Sequence, residues 1–119
     1  MKLAVTSTGR DLGAKIDPRF GRAPYFIVVD SETMAYSVVN NSQSLNLPQG
    51  AGIQAAALVA QHRPSAVITG NCGPKAYHTL QAAGIPVLLG VDGPVRQAVD
   101  LYRQGKLTEA PGPNVQGHW

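Results

Sequence analysis

Residues 66–76, AVITGNCGPKA, decide how the rest of the chain is read. Ala66, Val67, Ile68 and Thr69 form an apolar, largely β-branched run of strand length. Gly70, Asn71, Cys72 and Gly73 interrupt it, and Pro74 opens a helix where a missing N–H costs nothing. The order is strand, glycine-bounded turn, helix. A helix start leaves its first N–H groups unpaired and carries the positive end of the macrodipole, which suits the turn to an anion. The chain's single cysteine, Cys72, lies in that turn.

Outward from this stretch, the same punctuation recurs once. Residues 70–74 (GNCGP) and 90–94 (GVDGP) share the pattern G-x-x-G-P, each after an apolar run and before a helical one. They are expected to be two βα turns of one geometry, differing in chemistry. The second offers Asp92, which repels an anion or caps its helix, so the first is the better anion site. The helix after residue 74 is expected to close at Gly84, and residues 86–89 (PVLL) to form another strand. Residues 94–103 form a helix with Val95, Ala98, Val99 and Tyr102 facing inward. On the N-terminal side, residues 51–62 form a helix with Ile53, Ala56, Ala57 and Ala60 at helical spacing, stopped by Pro64.

Residues 3–6 (LAVT) form a strand, and residues 25–30 (YFIVVD) and 34–39 pair as a hairpin. Residues 40–49 are polar and read as loop. The element order is βββ-α-β-α-β-α. Right-handed crossovers make the strands they join parallel, so strands one, three, four and five end at one sheet edge. Ligands in open α/β sheets bind at that edge. The expected class is therefore α/β, with one domain over residues 1–107 and a loose Pro/Gly-rich tail over 108–119.

Between the first two strands runs a long loop, residues 7–22 (STGRDLGAKIDPRFGR), with three glycines and a proline. Loops of this length in compact domains are commonly functional. It carries Arg10, Lys15, Arg19 and Arg22 against Asp11 and Asp17, and the topology sets it beside the first turn. The 119 residues carry a formal charge of +3 and 44% hydrophobic content. That balance allows anionic partners without requiring nucleic acid. A lone cysteine makes no internal disulfide, and no signal-peptide pattern or membrane-length apolar run is seen. The expectation is a cytoplasmic protein bound to neither nucleic acid nor membrane. No phosphate-loop or dinucleotide motif is present. The first strand lacks the carboxylates a two-metal nuclease needs, and no catalytic triad or paired-carboxylate arrangement stands out, so an enzyme is not expected.

Residues 17–30 (DPRFGRAPYFIVVD), 50–90 (GAGIQAAALVAQHRPSAVITGNCGPKAYHTLQAAGIPVLLG) and 98–107 (AVDLYRQGKL) resemble the dinitrogenase iron–molybdenum cofactor biosynthesis family. The resemblance implies a ribonuclease-H-like fold: a five-stranded mixed sheet ordered 3-2-1-4-5 with helices on both faces. It also implies binding or carriage of molybdenum-containing metal–sulfur clusters. Small stand-alone members in anaerobes are associated with an anionic molybdenum–copper sulfide cluster held non-covalently, and with ParA/MinD-type ATPases. Many relatives have histidine, a candidate cluster ligand, directly before the Phe-Gly of this motif. Here Arg19 stands in that place, and a guanidinium has no lone pair to give a metal. It favours charge-assisted hydrogen bonds to cluster sulfides instead.

The expected cluster-binding residues are Arg10, Lys15, Arg19, Phe20, Gly21 and Arg22 from the loop, with Asn71, Cys72, Gly73, Pro74 and Lys75 from the turn. Cys72 has two readings. As a thiolate at a helix start, with its pKa lowered there, it is a ligand for soft metals. As a small buried residue it simply fills the turn. Phe20 is either a ligand contact or a plug that anchors the loop. His78 lies one helical turn after Pro74, on the helix that starts the site, and reads either as a residue reaching the cluster or, in preference, as a surface histidine. His118 and Trp119 have no assigned role. The two functional expectations are a non-enzymatic carrier of the cluster and, alternatively, a regulatory subunit docking an ATPase with the metal incidental.

Overall fold

The computed structural model describes residues 1–45 and 47–115. Its strands are β1 (Lys2–Ser7), β2 (Tyr25–Asp30), β3 (Tyr36–Asn40), β4 (Ala66–Ile68) and β5 (Val87–Leu88). Its helices are α1 (Ser42–Leu45), α2 (Ala51–Ala60), α3 (Pro74–Ala82) and α4 (Val95–Arg103), and Phe20–Arg22 forms a 3-10 turn. The sheet runs β3-β2-β1-β4-β5, with β1/β2 and β2/β3 antiparallel and β1/β4 and β4/β5 parallel. This is the mixed α/β architecture implied by the sequence.

Strand alternation divides the core into two layers. Leu3, Val5, Ile27, Val29, Ala66 and Ile68 face α4, whose Val95, Ala98 and Val99 are fully buried. Ala4, Phe26, Val67 and Val87 point the other way, onto Ala55, Ala56 and Val59 of α2 and Ala76, Tyr77 and Leu80 of α3. The hairpin between β2 and β3 is fixed by Asp30, whose Oδ1 accepts the N–H groups of Glu32 at 2.8 Å and Thr33 at 3.1 Å.

Four local expectations are corrected. First, α2 buries Ala51, Ala55, Ala56 and Val59, whereas Ile53 is 42% exposed and Ala57 faces solvent. A Cβ on Gly21 would lie 2.9 Å from both Cα and N of Gly52. That close backbone approach pins the helix start against the 3-10 turn and sets which face turns inward. Second, residues 40–49 contain α1 rather than loop alone. Third, the two G-x-x-G-P turns differ in geometry. Gly90 and Gly93 both have positive φ (75° and 84°), whereas Gly73 is extended at φ −77°. Gly70 is needed for space instead: a Cβ there would sit 2.8 Å from Pro18 Cα.

Fourth, the described part of the tail is tied to the body. Glu109 bridges to Leu88, Ala110 N–H donates to Val87 O at 2.8 Å, and Asn114 hydrogen-bonds to residues 70–72. Residues 116–119, with His118 and Trp119, lie outside the described residues.

Candidate functional site

The site grows from the adjacent, parallel ends of β1 and β4. Thr6 Oγ1 donates to Asp17 O at 2.8 Å and is hydrogen-bonded at 2.8 Å to the Thr69 hydroxyl, both residues being fully buried. This holds the second half of the loop over the strand ends. Asp17, 5% exposed, uses Oδ1 to accept Arg19 N–H at 2.9 Å, forming a local turn, and lies 3.5 Å from Arg19 Nε. From there the loop pairs with the first βα turn like a short parallel strand. Asn71 N–H donates to Pro18 O at 2.7 Å, and Phe20 N–H donates to Asn71 O at 3.1 Å. Two segments some fifty residues apart in sequence thus share one backbone ladder.

Of the helix starts at this sheet edge, those of α4 and α3 are not equivalent. At α4, Val95 N–H donates to Ala14 O and Arg96 N–H to Leu12 O, both at 2.9 Å. That terminus is already capped by the loop. At α3, Gly73 provides no side-chain cap and Pro74 occupies the first turn. The N–H groups of Lys75 and Ala76 find no acceptor among the described residues. The α3 terminus is therefore open, and the turn leading into it pairs with Arg19, whose side chain is 51% exposed.

Cys72 is fully buried among Phe20, Phe26, Ala56 and Tyr77. Burial pushes its thiol up to about 12. The expected lowering by the helix start is thus reversed: loss of water around the thiolate outweighs the dipole. The thiol donates toward Gly73 O, with Sγ 3.7 Å away. At neutral pH Cys72 is a protonated core residue in this conformation. No group of three or more His, Cys, Asp or Glu side chains able to hold a metal ion occurs among the described residues.

The remaining predicted residues separate by location. Arg19, Phe20, Gly21, Asn71, Gly73, Pro74 and Lys75 are brought together by the ladder. Phe20 is 1% exposed, with its ring 5.3 Å from that of Phe26, so it anchors the loop in the core. Arg22 donates through Nη1 to Leu47 O at 2.9 Å and to Ser44 O at 3.4 Å, tying the 3-10 turn to the α1 region. Arg10 lies over the Tyr25 ring, 5.7 Å from its centroid. Lys15 pairs with Pro94 at the start of α4, on the opposite face of the sheet from α3. The partners of Arg10 and Lys15 are thus Tyr25 and the start of α4 rather than residues of the α3 turn.

Sequence reasoning missed Asp17 and Asn114 as parts of this arrangement. An Asp directly before Pro is a turn signal that marks Asp17. Asn114 reaches the turn from more than forty residues away, and nothing local announces it.

Among solved structures, the chain is similar to the apo form of the orange protein from Desulfovibrio gigas. The two are 46% identical with a TM-score of 0.93, over 96% of each chain. A NifB-like protein from Thermotoga is 32% identical with a TM-score of 0.82, over 98% of each. An uncharacterised protein of Methanocaldococcus jannaschii is 30% identical over 96 residues, which are 78% of this chain and 80% of that one. The model of the dinitrogenase iron–molybdenum cofactor family matches residues 1–105, and with these similarities the chain belongs to that family.

Proposed function

We infer that this protein is a non-enzymatic carrier for an anionic metal–sulfur cluster, of the molybdenum–copper sulfide type, held without protein–metal bonds. The observation that carries this reading is the pairing of Arg19 with Asn71. It lays the backbone of Arg19, whose guanidinium is half-exposed, along the turn that leads to the unpaired N–H groups of Lys75 and Ala76. These are hydrogen-bond donors and positive charges, the complement of a sulfide surface rather than of a bare metal ion. The absence of a metal-ligand cluster among the described residues agrees with that chemistry. Such a cargo brings its own sulfide ligands, and the chain supplies orientation and charge. Membership of a cofactor family and likeness to the orange protein support the same reading.

The test is anaerobic addition of tetrathiomolybdate and Cu(I) to the apo chain. A visible charge-transfer band that survives desalting, with the mass of a cluster, is expected. Cys72→Ala is expected to retain the band, and Arg19→Ala to weaken uptake about tenfold, the effect of one charge-assisted hydrogen bond. Absence of uptake by the parent chain rules the reading out. Binding of a ParA/MinD-type ATPase, equal with and without cluster and unaffected by Arg19→Ala, would favour the regulatory-subunit alternative.

A further inference from the structure

The last described stretch of the chain lies on the turn that the carrier reading makes the binding site. It is anchored to β5 by the Ala110 N–H bond to Val87 O and to α3 by the Tyr77 hydroxyl, which donates to Ala110 O at 2.9 Å. Beyond that anchor, Pro111, Gly112 and Pro113 make no hydrogen bond among the described residues. They border an open cleft of about 580 Å3 lined by Leu89 and residues 108–114.

Asn114 then returns to the body with four hydrogen bonds, all to residues 70–72. Its Oδ1 accepts Cys72 N–H at 2.8 Å, and its own N–H donates to Cys72 O at 3.2 Å. Its Nδ2 donates to Asn71 Oδ1 at 3.0 Å and to Gly70 O at 3.2 Å. An exposed residue from the chain's end thus satisfies the N–H of a fully buried one. Leaving that N–H unpaired would be costly.

We propose that Asn114 is a displaceable plug, seated on the 70–72 turn when the site is empty and released when an anionic cargo takes the Cys72 N–H. This rests on the carrier reading. A sulfide accepts that N–H in a charge-assisted bond, which is stronger than one to a neutral amide oxygen. The Pro-Gly-Pro stretch between the anchor at Glu109 and Ala110 and the plug makes no hydrogen bond among the described residues, so the plug can leave and return without disturbing the sheet. Re-docking is intramolecular and therefore efficient. The Cys72 N–H is paired in either state, and the loaded and empty forms differ at their C-terminal surface.

Isotope-labelled protein titrated anaerobically with tetrathiomolybdate and Cu(I) tests this. In the parent chain, the Asn114 side-chain amide and the Cys72 backbone amide resonances are expected to shift together as the visible band grows. Asn114→Ala is expected to bind about tenfold more tightly or better, since the three side-chain hydrogen bonds that hold the plug on the turn are gone. Asn114→Asp, which keeps the side-chain volume, is expected to bind about tenfold more weakly. Its carboxylate gives up the two Nδ2 bonds to Gly70 and Asn71 but keeps a negative charge beside the turn, which repels an anion. Equal uptake by all three proteins with an unmoved Cys72 amide overturns the plug while leaving the carrier standing. Weaker uptake by Asn114→Ala also overturns it, by making Asn114 a holder of the cargo. No uptake by any of them overturns both readings.

Discussion

At the residue scale, the chemistry of Cys72 follows from where its neighbours put it. The thiol titrates near 12 when folded against 9.0 ordinarily. Between those values the unfolded chain loses a proton that the folded chain keeps. Stability contributed by the buried thiol is therefore complete below pH 9 and declines as pH rises toward 12, by up to about 1.4 kcal/mol per pH unit. The expected outcome is that Cys72→Ala lacks this component: its urea midpoint falls less steeply than the parent's between pH 9 and 10.5. The arginines separate in the same way. Arg22→Ala removes bonds to two carbonyls and is expected to cost about 1.5 kcal/mol of stability. Arg19→Ala, at a half-exposed position, is expected to stay within about 0.5 kcal/mol while its cluster uptake weakens about tenfold. Denaturant titration beside spectroscopic uptake reads both. Sequence alone identified the arginines as a basic group. It did not separate them, because their partners are carbonyls and rings supplied by distant segments.

At the scale of elements, the strand–turn–helix at residues 66–82 was legible because its signals are local: β-branched residues, bounding glycines and a first-turn proline. The inward face of α2 was not. Helical spacing placed Ile53 inside, yet the contact between Gly21 and Gly52 rotates an alanine face onto the core. Periodicity reports that one face is apolar, and with alanine on several sides it does not say which. The two G-x-x-G-P turns show the same limit: one pattern serves left-handed φ at Gly90 and Gly93 and tight clearance at Gly70. That clearance can be tested. Gly70→Ala forces a Cβ to within 2.8 Å of Pro18 Cα, where the neighbour is backbone and cannot simply rotate away. A loss of about 1–3 kcal/mol in unfolding free energy is expected. Cluster uptake is expected to weaken with it, because the same contact carries the ladder from Pro18 to Asn71.

For the whole molecule, the strand order explains why a basic loop and a helix start from opposite halves of the chain meet. Parallel pairing of β1 with β4 brings their carboxyl ends side by side, and whatever follows each strand must leave from the same edge. This was readable in outline from the element order. The closure of α4 by Ala14 and Leu12, and the return of residues 109–110 to β5 and of Asn114 to the 70–72 turn, were not, since none has a local signature. The consequence is that the α3 side of the edge keeps open donors among the described residues while the α4 start is closed, on a protein of net charge +3. Attachment by charge and hydrogen bonding must then respond to salt. Between 0.1 M and 1 M the screening length shrinks from about 10 Å to about 3 Å, less than the reach from a half-exposed guanidinium to a surface-bound anion. Affinity for tetrathiomolybdate with Cu(I) is expected to fall roughly tenfold over that range in sodium chloride, followed by the visible band at equilibrium. A cluster bonded through a protein sulfur would stay put across the same titration, so an unchanged band would return the argument to Cys72.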